Sequence, residues 1–344
     1  MNDMNSNAFG YVIVTDYVKA NTGEDVSDAI QKIINDNPHK TIYFPDGEYI
    51  IAKPICTSAN PENAVSIMLS DFATIKAADG WDSDEAMIRL GAAEPFNTIM
   101  KNGSNYRVCG GIIDGNGVAQ GIAIESGRET RIEGTSIKHT SLGLHIKKGA
   151  NGNSSDADIL NVNIVGNCKA GSIGMLIEGS DNSFTNMRIA GVQIGVKIQN
   201  SSAQIMKNLH PLYIFNGELA DLDVYKNSIG FLDCMNAVNW YNNCYSDQFA
   251  TGFYMQGNSL NTYSDCYCYW YTDKGGKQHG YESAGKFNSV IRNSYVRCKD
   301  AATDKAFLVV GEAGGKGIIY PPISRVDNMT DKTHEDYLMP DWRN

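Results

Sequence analysis

From residue 121 onward the chain keeps returning to one pattern: a glycine, an apolar residue, any residue, then another apolar residue. It appears as GIAIE at 121, GLHIK at 143, GMLIE at 174, GVKIQ at 195, GFLDC at 230, GFYMQ at 252 and GYESA at 280, with AFLVV at 306 closing the series. Successive starts are 22, 31, 21, 35, 22, 28 and 26 residues apart. Alternation over four or five residues marks a strand with one buried face. A minimum period of 21 or 22 with longer versions marks a coil whose loops vary in length. Second strands such as ADILNVNIV, NSFTNMRI and NSVIRNSYVRC lie between the starts, short and punctuated by Asn and Gly. Helical periodicity is absent across residues 100–320. Short parallel strands joined in one direction predict an all-β right-handed parallel β-helix, a solenoid of roughly ten coils.

The first part of the chain follows a different pattern. Residues 24–36, EDVSDAIQKIIND, place Val26, Ala29, Ile30, Ile33 and Ile34 at helical period. KTIYFPDGEYII then reads as a strand, a Pro-Asp-Gly turn and a second strand. The expected division is a cap of helix plus strand pair over 1–55, coils over 56–320, and a tail without coil pattern over 321–344. The run VTDYVKANTGEDVSDAIQKII, followed by KTIYFPDGEYIIAKPI, resembles the entry segment of pectate-lyase-like right-handed parallel β-helix proteins. In motif the resemblance covers residues 12–55, and the coil pattern extends the architectural likeness toward residue 320. It implies the β-helix fold, a carbohydrate-active or tailspike-like protein, and a homotrimer. The loop VKANTGED departs from the family's Gly- and Asp-rich turn. The polygalacturonase set (Asn-Thr-Asp, Asp-Asp, Gly-His-Gly, Arg-Ile-Lys) is absent, QHG at 278–280 being the nearest fragment, so the resemblance carries no catalytic residue onto this chain.

Composition narrows the partners. The 344 residues, 42% hydrophobic and 20% charged, are enough for one elongated domain or two compact ones. Lys plus Arg number 29 against 39 Asp plus Glu, a net charge of −10 with no basic run, which argues against nucleic acid and mildly against a polyanion. No apolar run reaches the ~18 residues of a membrane span. MNDMNSNAFG has neither a basic nor an apolar leader region, so the cytoplasm is the expected location, or a secreted or virion-associated one if a leader was removed. Eight cysteines (Cys56, Cys109, Cys168, Cys234, Cys244, Cys266, Cys268 and Cys298) are too dispersed for a disulfide scaffold and read as reduced interior thiols. Cys266 and Cys268 alone are no zinc signature, and no metal or cofactor is expected.

Coil alignment then assigns faces. At a strand start the first and third residues point inward and the second and fourth outward. The fourth-position column runs Glu125, Lys147, Glu178, Gln199: a salt-bridge ladder or, with His145 and Lys197, a second-choice acid/base patch. GFLDC puts Asp233 at an inward position. A lone buried carboxylate costs several kcal/mol unless paired or protonated, so either the strand bends outward there or Asp233 is a perturbed acid. NWYNNCYSD (239–247) returns as NTYSDCYCY (261–269) at an offset of 22, and a further shift of 30 sets Val296 over Cys266 and Cys298 over Cys268. With cysteines inward and the strand unbroken, the outward stacks are Tyr241 over Tyr263, Asn243 over Asp265 over Tyr295, and Tyr245 over Tyr267 over Arg297. Such a face suits a sugar groove, with ring faces against sugar C–H faces and carboxylates on hydroxyls. It equally suits an aromatic ladder or a subunit seam. Trp240, Asp247, Tyr254 and Trp270 complete the candidate binding set.

The longest coil carries NLHPLYIFNGELADLDVYKN (208–227), with His210, Tyr213, Glu218, Asp221 and Asp223, and a second long coil carries Asp273 and His279. Glycosidases place two carboxyls about 5–5.5 Å apart for retention and about 6.5–9.5 Å for inversion. Asp265 with Glu218, Asp221, Asp223 or Asp233 is the expected pair, and His210 joins the catalytic candidates. The leading expectation is an enzyme that cleaves or rearranges glycosidic bonds of a neutral or weakly charged oligo- or polysaccharide. A non-catalytic glycan-binding or phage receptor-binding spike and a polysaccharide lyase are the alternatives. The expected partners are a glycan and further copies of the chain, with no nucleic acid and no membrane.

Overall fold

The computed structural model describes residues 10–93, 107–149, 152–234, 237–271, 278–297, 304–311 and 315–320. The expected tail 321–344, Asp273 and Cys298 lie outside the described residues. The chain divides into two compact units, Met1–Asn167 and Cys168–Asn344.

In the first unit the strands Ile55–Ser58, Ala86–Ala93, Gln120–Ile124 and Leu142–Ile146 stack in parallel, with Ile55, Ile88, Ile122 and Leu144 in one interior column. GIAIE and GLHIK occupy this face as expected, and the two preceding coils enter it without a glycine signal. Thr41–Phe44 pairs with Ser66–Leu69 and Gly47–Ile51 with Ala73–Ala77. The strands on either side of the Pro-Asp-Gly turn thus each pair with the following coil. The helix Ser27–Asp36 buries Ile30, Ile33 and Ile34. It is tied down by Gln31, whose amide accepts from Cys56 N at 2.7 Å and donates to Cys56 O at 2.9 Å.

The second unit stacks the remaining six starts: Ile173–Ile177, Ile194–Gln199, Ile229–Cys234, Thr251–Met255, His279–Ser283 and Lys305–Val309. Their interior column reads Met175, Val196, Phe231, Phe253, Tyr281, Phe307. The rings of Phe231, Phe253 and Tyr281 stack with centroids 4.7 and 4.9 Å apart. The repeated glycine has a steric cause. A Cβ on Gly195 would lie 2.5 Å from the Gly230 carbonyl oxygen and 2.6 Å from Pro211 Cβ, so neighbouring coils approach only where the side chain is missing.

Across the interior from this face run Ser183–Ala190, Ile205–Leu212 and three broken strands, Trp240–Asn242/Tyr245–Asp247, Thr262–Ser264/Tyr267–Tyr269 and Val290–Arg292/Tyr295–Arg297. The break is a corner. Asn186, Asn208, Asn243, Asp265 and Asn293 all take φ between +49° and +57°, the left-handed region that Asn and Asp tolerate best among residues with a side chain. Their side chains bond from coil to coil: Asn208 Nδ2 donates to Asn186 Oδ1 at 2.8 Å, Asn243 Nδ2 to Asn208 Oδ1 at 3.4 Å, and Asn293 to Asp265. This corner corrects the unbroken-strand expectation. Asn242 and Asn243 face outward in succession, so Cys244 points inward as expected while Tyr241 and Tyr263, expected outside, are only 1% exposed. The offset to the third coil is also 28, not 30: Tyr245 aligns with Tyr267 and Tyr295, and Asp247 with Tyr269 and Arg297.

The glycine column gives a direct test. Gly195→Ala is expected to lower unfolding free energy by about 2–3 kcal/mol, the cost of overpacking against backbone, read as a shift in the urea midpoint at unchanged slope.

Candidate functional site

The candidate acids fall into distinct environments. Asp233 follows the inward column and is 2% exposed. Oδ1 accepts from Asn239 Nδ2 at 3.1 Å and Tyr241 Oη at 2.8 Å, and Oδ2 accepts from Asn261 Nδ2 and from Tyr263 Oη at 3.4 Å. Burial raises its pKa to about 6 against the opposing pull of those four bonds, and burial likewise lifts the Tyr241 and Tyr263 phenols. Asp233 is therefore a core group that no glycan can touch, which removes it from the catalytic set. Trp270 leaves the binding set for the same reason: it is 2% exposed and donates to the Phe249 carbonyl at 2.6 Å.

The long-coil acids serve local structure. Asp221 caps the short helix Leu222–Tyr225 by accepting from Asp223 N at 2.7 Å, Glu218 accepts from Ala170 N at 2.9 Å, and exposed Asp223 pairs with Lys226 at 2.9 Å. Buried Tyr213 anchors this insertion, donating to Leu219 O at 2.7 Å and packing against Tyr225 and Phe249. Asp265 is exposed but belongs to the corner ladder, held by Asn293. Trp240 lies on the other side of the corner, in register with Ile205 and Thr262. Tyr254 lies on the opposite sheet beside Glu282, which pairs with His279 at 2.7 Å.

The second-choice patch falls in both units. In the first, Glu125 accepts from Arg89 Nε at 2.6 Å, Arg89 Nη2 at 2.9 Å and Lys147 Nζ at 2.9 Å, and Lys147 also reaches Glu85 at 2.6 Å. Burial pushes the Glu125 pKa up, but the bonds from Arg89 and Lys147 outweigh it and hold the carboxyl below its ordinary value. This is the salt-bridge ladder, with half-buried His145 in register beside Ala123. In the second unit Glu178 and Lys197 take half-buried outward positions.

Five of the expected residues do come together, on the outer face just past the corner. Register places Arg188, His210, Tyr245, Tyr267 and Tyr295 in one column and Asp247, Tyr269 and Arg297 in the next. The imidazole of His210 stacks on Tyr245 with centroids 4.2 Å apart and 14° between planes. Tyr245 meets Tyr267 edge-on at 5.3 Å, and Tyr267 stacks on Tyr295 at 4.9 Å. Arg297 covers the Tyr269 ring at 4.9 Å and donates to its hydroxyl at 3.2 Å. Asp247, 8% exposed, accepts from Tyr245 Oη at 3.2 Å on Oδ2, and His210 Nε2 lies 3.5 Å from the same oxygen. Burial and the Asp247 carboxylate push the Tyr245 phenol well above its ordinary value. Asp247 Oδ1 and His210 Nε2 are buried without a hydrogen-bond partner. Arg188 Nη1 sits 3.1 Å from His210 Nδ1. His210, Tyr245, Asp247, Tyr267 and Arg297 are expected from sequence, Tyr295 is expected outward but in the Asn243–Asp265 stack rather than on Tyr267, and Arg188 and Tyr269 are not expected. Aligning the corner residues supplies the rest: the 22-residue step from Asn186 to Asn208 sets Arg188 on His210, the 22-residue step from Asn243 to Asp265 sets Tyr269 on Asp247, and the 28-residue step from Asp265 to Asn293 sets Tyr295 on Tyr267.

No family model matches the chain, and no curated protein matches it. Solved structures do. The DFA-IIIase of Arthrobacter chlorophenolicus A6, solved in complex with GF2, aligns over 96% of this chain and 98% of its own at 11% identity and TM-score 0.55. The endo-xylogalacturonan hydrolase of Aspergillus tubingensis aligns over 91% and 97% at 14% identity and TM-score 0.52. ORF18 of Geobacillus virus E2 aligns over 90% of this chain at 14% identity and TM-score 0.53, and the chain spans 60% of that viral protein's length. The chain has the right-handed parallel β-helix fold. At these identities the likeness extends to the fold alone.

The core carboxylate makes stability depend on pH. Because the folded pKa of Asp233, about 6, stands above its unfolded value of 3.8, the native state binds the extra proton between them. Stability is therefore fullest below the unfolded value and falls as pH rises through the folded one, by roughly 3 kcal/mol for this group. Urea unfolding at about pH 4 and about pH 7 is expected to show that loss in the wild type relative to Asp233→Asn, whose side chain does not titrate.

Proposed function

We propose that this is a carbohydrate-active β-helix protein that holds a glycan across the outer tyrosine columns of its second unit, with Asp247 as the reacting carboxylate. The observation that carries this reading is Asp247 itself: a buried carboxylate whose Oδ2 accepts from Tyr245 and whose Oδ1 is left without a partner. An orphaned buried acceptor costs about 1–3 kcal/mol, which a sugar hydroxyl or a water relieves. The half-buried rings of Tyr245, Tyr267, Tyr269 and Tyr295 keep apolar surface at the outside for sugar C–H groups, and exposed Arg297 reaches hydroxyls at the rim. In a cleavage step Asp247 takes the proton of an attacking water or sugar hydroxyl as that oxygen bonds to the anomeric carbon. The electrons of the breaking C–O bond leave with the departing oxygen, which is protonated from the groove or solvent. Support also comes from the named relatives of this fold, two of which are carbohydrate enzymes.

A second reading, glycan binding without turnover, is favoured by one observation: the other acids are engaged in structural bonds, Glu218 with Ala170 N, Asp221 at its helix cap, Asp265 in the corner ladder and Asp223 with Lys226. Asp247→Asn and Tyr267→Ala, assayed on a glycan panel for both binding and sugar release, separate the two. For an enzyme, Asp247→Asn is expected to slow turnover at least about 100-fold with binding kept, and Tyr267→Ala to weaken binding about tenfold. Binding that depends on Tyr267 with no turnover by the wild type supports the second reading. Absence of binding to every glycan sinks both.

A further inference from the structure

We propose that Arg188 is a positioning residue that holds His210 as the Nε2–H tautomer, and that His210 Nε2 and Asp247 Oδ1 then form a two-point socket for one hydroxyl oxygen. The inference starts from what each group can do. Guanidinium nitrogens donate and never accept. With Arg188 Nη1 3.1 Å from His210 Nδ1, the lone pair must sit on Nδ1 and the ring hydrogen on Nε2. The stack on Tyr245 fixes the plane of the ring, and the contact with Arg188 fixes which edge carries Nδ1.

The Nε2–H is thereby aimed inward at the carboxylate, yet it is not spent there. At 3.5 Å from Asp247 Oδ2 it makes no hydrogen bond, and Oδ2 already accepts from Tyr245. Asp247 Oδ1, on the same carboxylate, is likewise buried and unpartnered. Neighbouring side chains thus present one orphan donor and one orphan acceptor. An ammonium could answer only the acceptor and a carboxylate only the donor. A hydroxyl or a water answers both, because its oxygen accepts while its hydrogen donates. This deepens the glycan reading and rests on it only for whose hydroxyl enters the socket; the tautomer and the filled socket do not depend on it.

Both parts are tested without a glycan. Nitrogen-15 NMR of the histidine rings, with His210 assigned by its loss in His210→Gln, is expected to show hydrogen on Nε2 and a lone-pair Nδ1 in the wild type. Arg188→Lys, still a donor, is expected to keep that pattern. Arg188→Glu offers an acceptor instead and is expected to move hydrogen onto Nδ1. Arg188 is exposed, so each variant is expected to fold, checked by its thermal melt. Hydrogen on Nδ1 in the wild type, or an unchanged ring in Arg188→Glu, overturns the positioning role. An atomic-resolution crystal structure of the glycan-free protein is expected to show one oxygen within hydrogen-bond reach of both His210 Nε2 and Asp247 Oδ1. An empty position or a cation there overturns the socket. Failure to bind any glycan would remove the sugar as the hydroxyl's owner and leave both of these results standing.

Discussion

Parallel strands stacked in register about 4.8 Å apart impose one rule on every position: whatever a residue needs must be met by its counterpart in the next coil. Apolar columns satisfy this by packing on themselves, as Phe231, Phe253 and Tyr281 do. Where backbones must nearly touch, the column becomes glycine, as at Gly195 and Gly230. Where the chain must turn, the column becomes Asn or Asp, whose side chains tolerate the left-handed corner and bond to the same residue one coil on. Polar atoms inside obey the same rule, since Asp233 is answered by residues from its own coil and the next.

Tyrosine shows how position decides the role of a side chain. Tyr241 and Tyr263 stack at 4.7 Å in the interior, where each hydroxyl needs an acceptor and Asp233 is the one supplied. Tyr245 and Tyr267, only four residues further along their coils, stand outside the corner and are half-buried. There the carboxylate bonded to Tyr245, Asp247, is left with an oxygen unanswered by the protein. One carboxylate is fully answered inside the core, and the other keeps one oxygen without a protein partner.

The coil starts from Gly121 onward were legible because glycine and alternation coincide there. The earlier strands Ile55–Ser58 and Ala86–Ala93 lack the glycine and were hidden in apolar runs. The corner was not legible as such: Asn243 in a left-handed conformation reads in the sequence as one more polar residue of an alternating strand. Missing it exchanged the faces of Tyr241 and Tyr263, while the 30-residue shift separately slipped the third coil by two residues. The outer cluster was half visible, with His210, Tyr245, Asp247, Tyr267 and Arg297 named, Tyr295 set in the wrong column, and Arg188 and Tyr269 passed over. Acids were the least legible, since the letters for Asp221, Asp233 and Asp265 do not distinguish a helix cap, a core acceptor and a corner.

The bonding of Asp233 also orders the way this unit can assemble on a growing chain. Its partners are separated from it by 6, 8, 28 and 30 residues, so all are supplied within little more than one further coil. Until Asn261 and Tyr263 have emerged from the ribosome, Asp233 has only Asn239 and Tyr241, and drying its surroundings at that stage would strand half of a carboxylate. Closure of the core around it therefore waits for a block of neighbouring coils rather than advancing one strand at a time. A solenoid built on nearest-neighbour contacts can in principle zip from either end; here a single buried acid sets the smallest length of chain that can close.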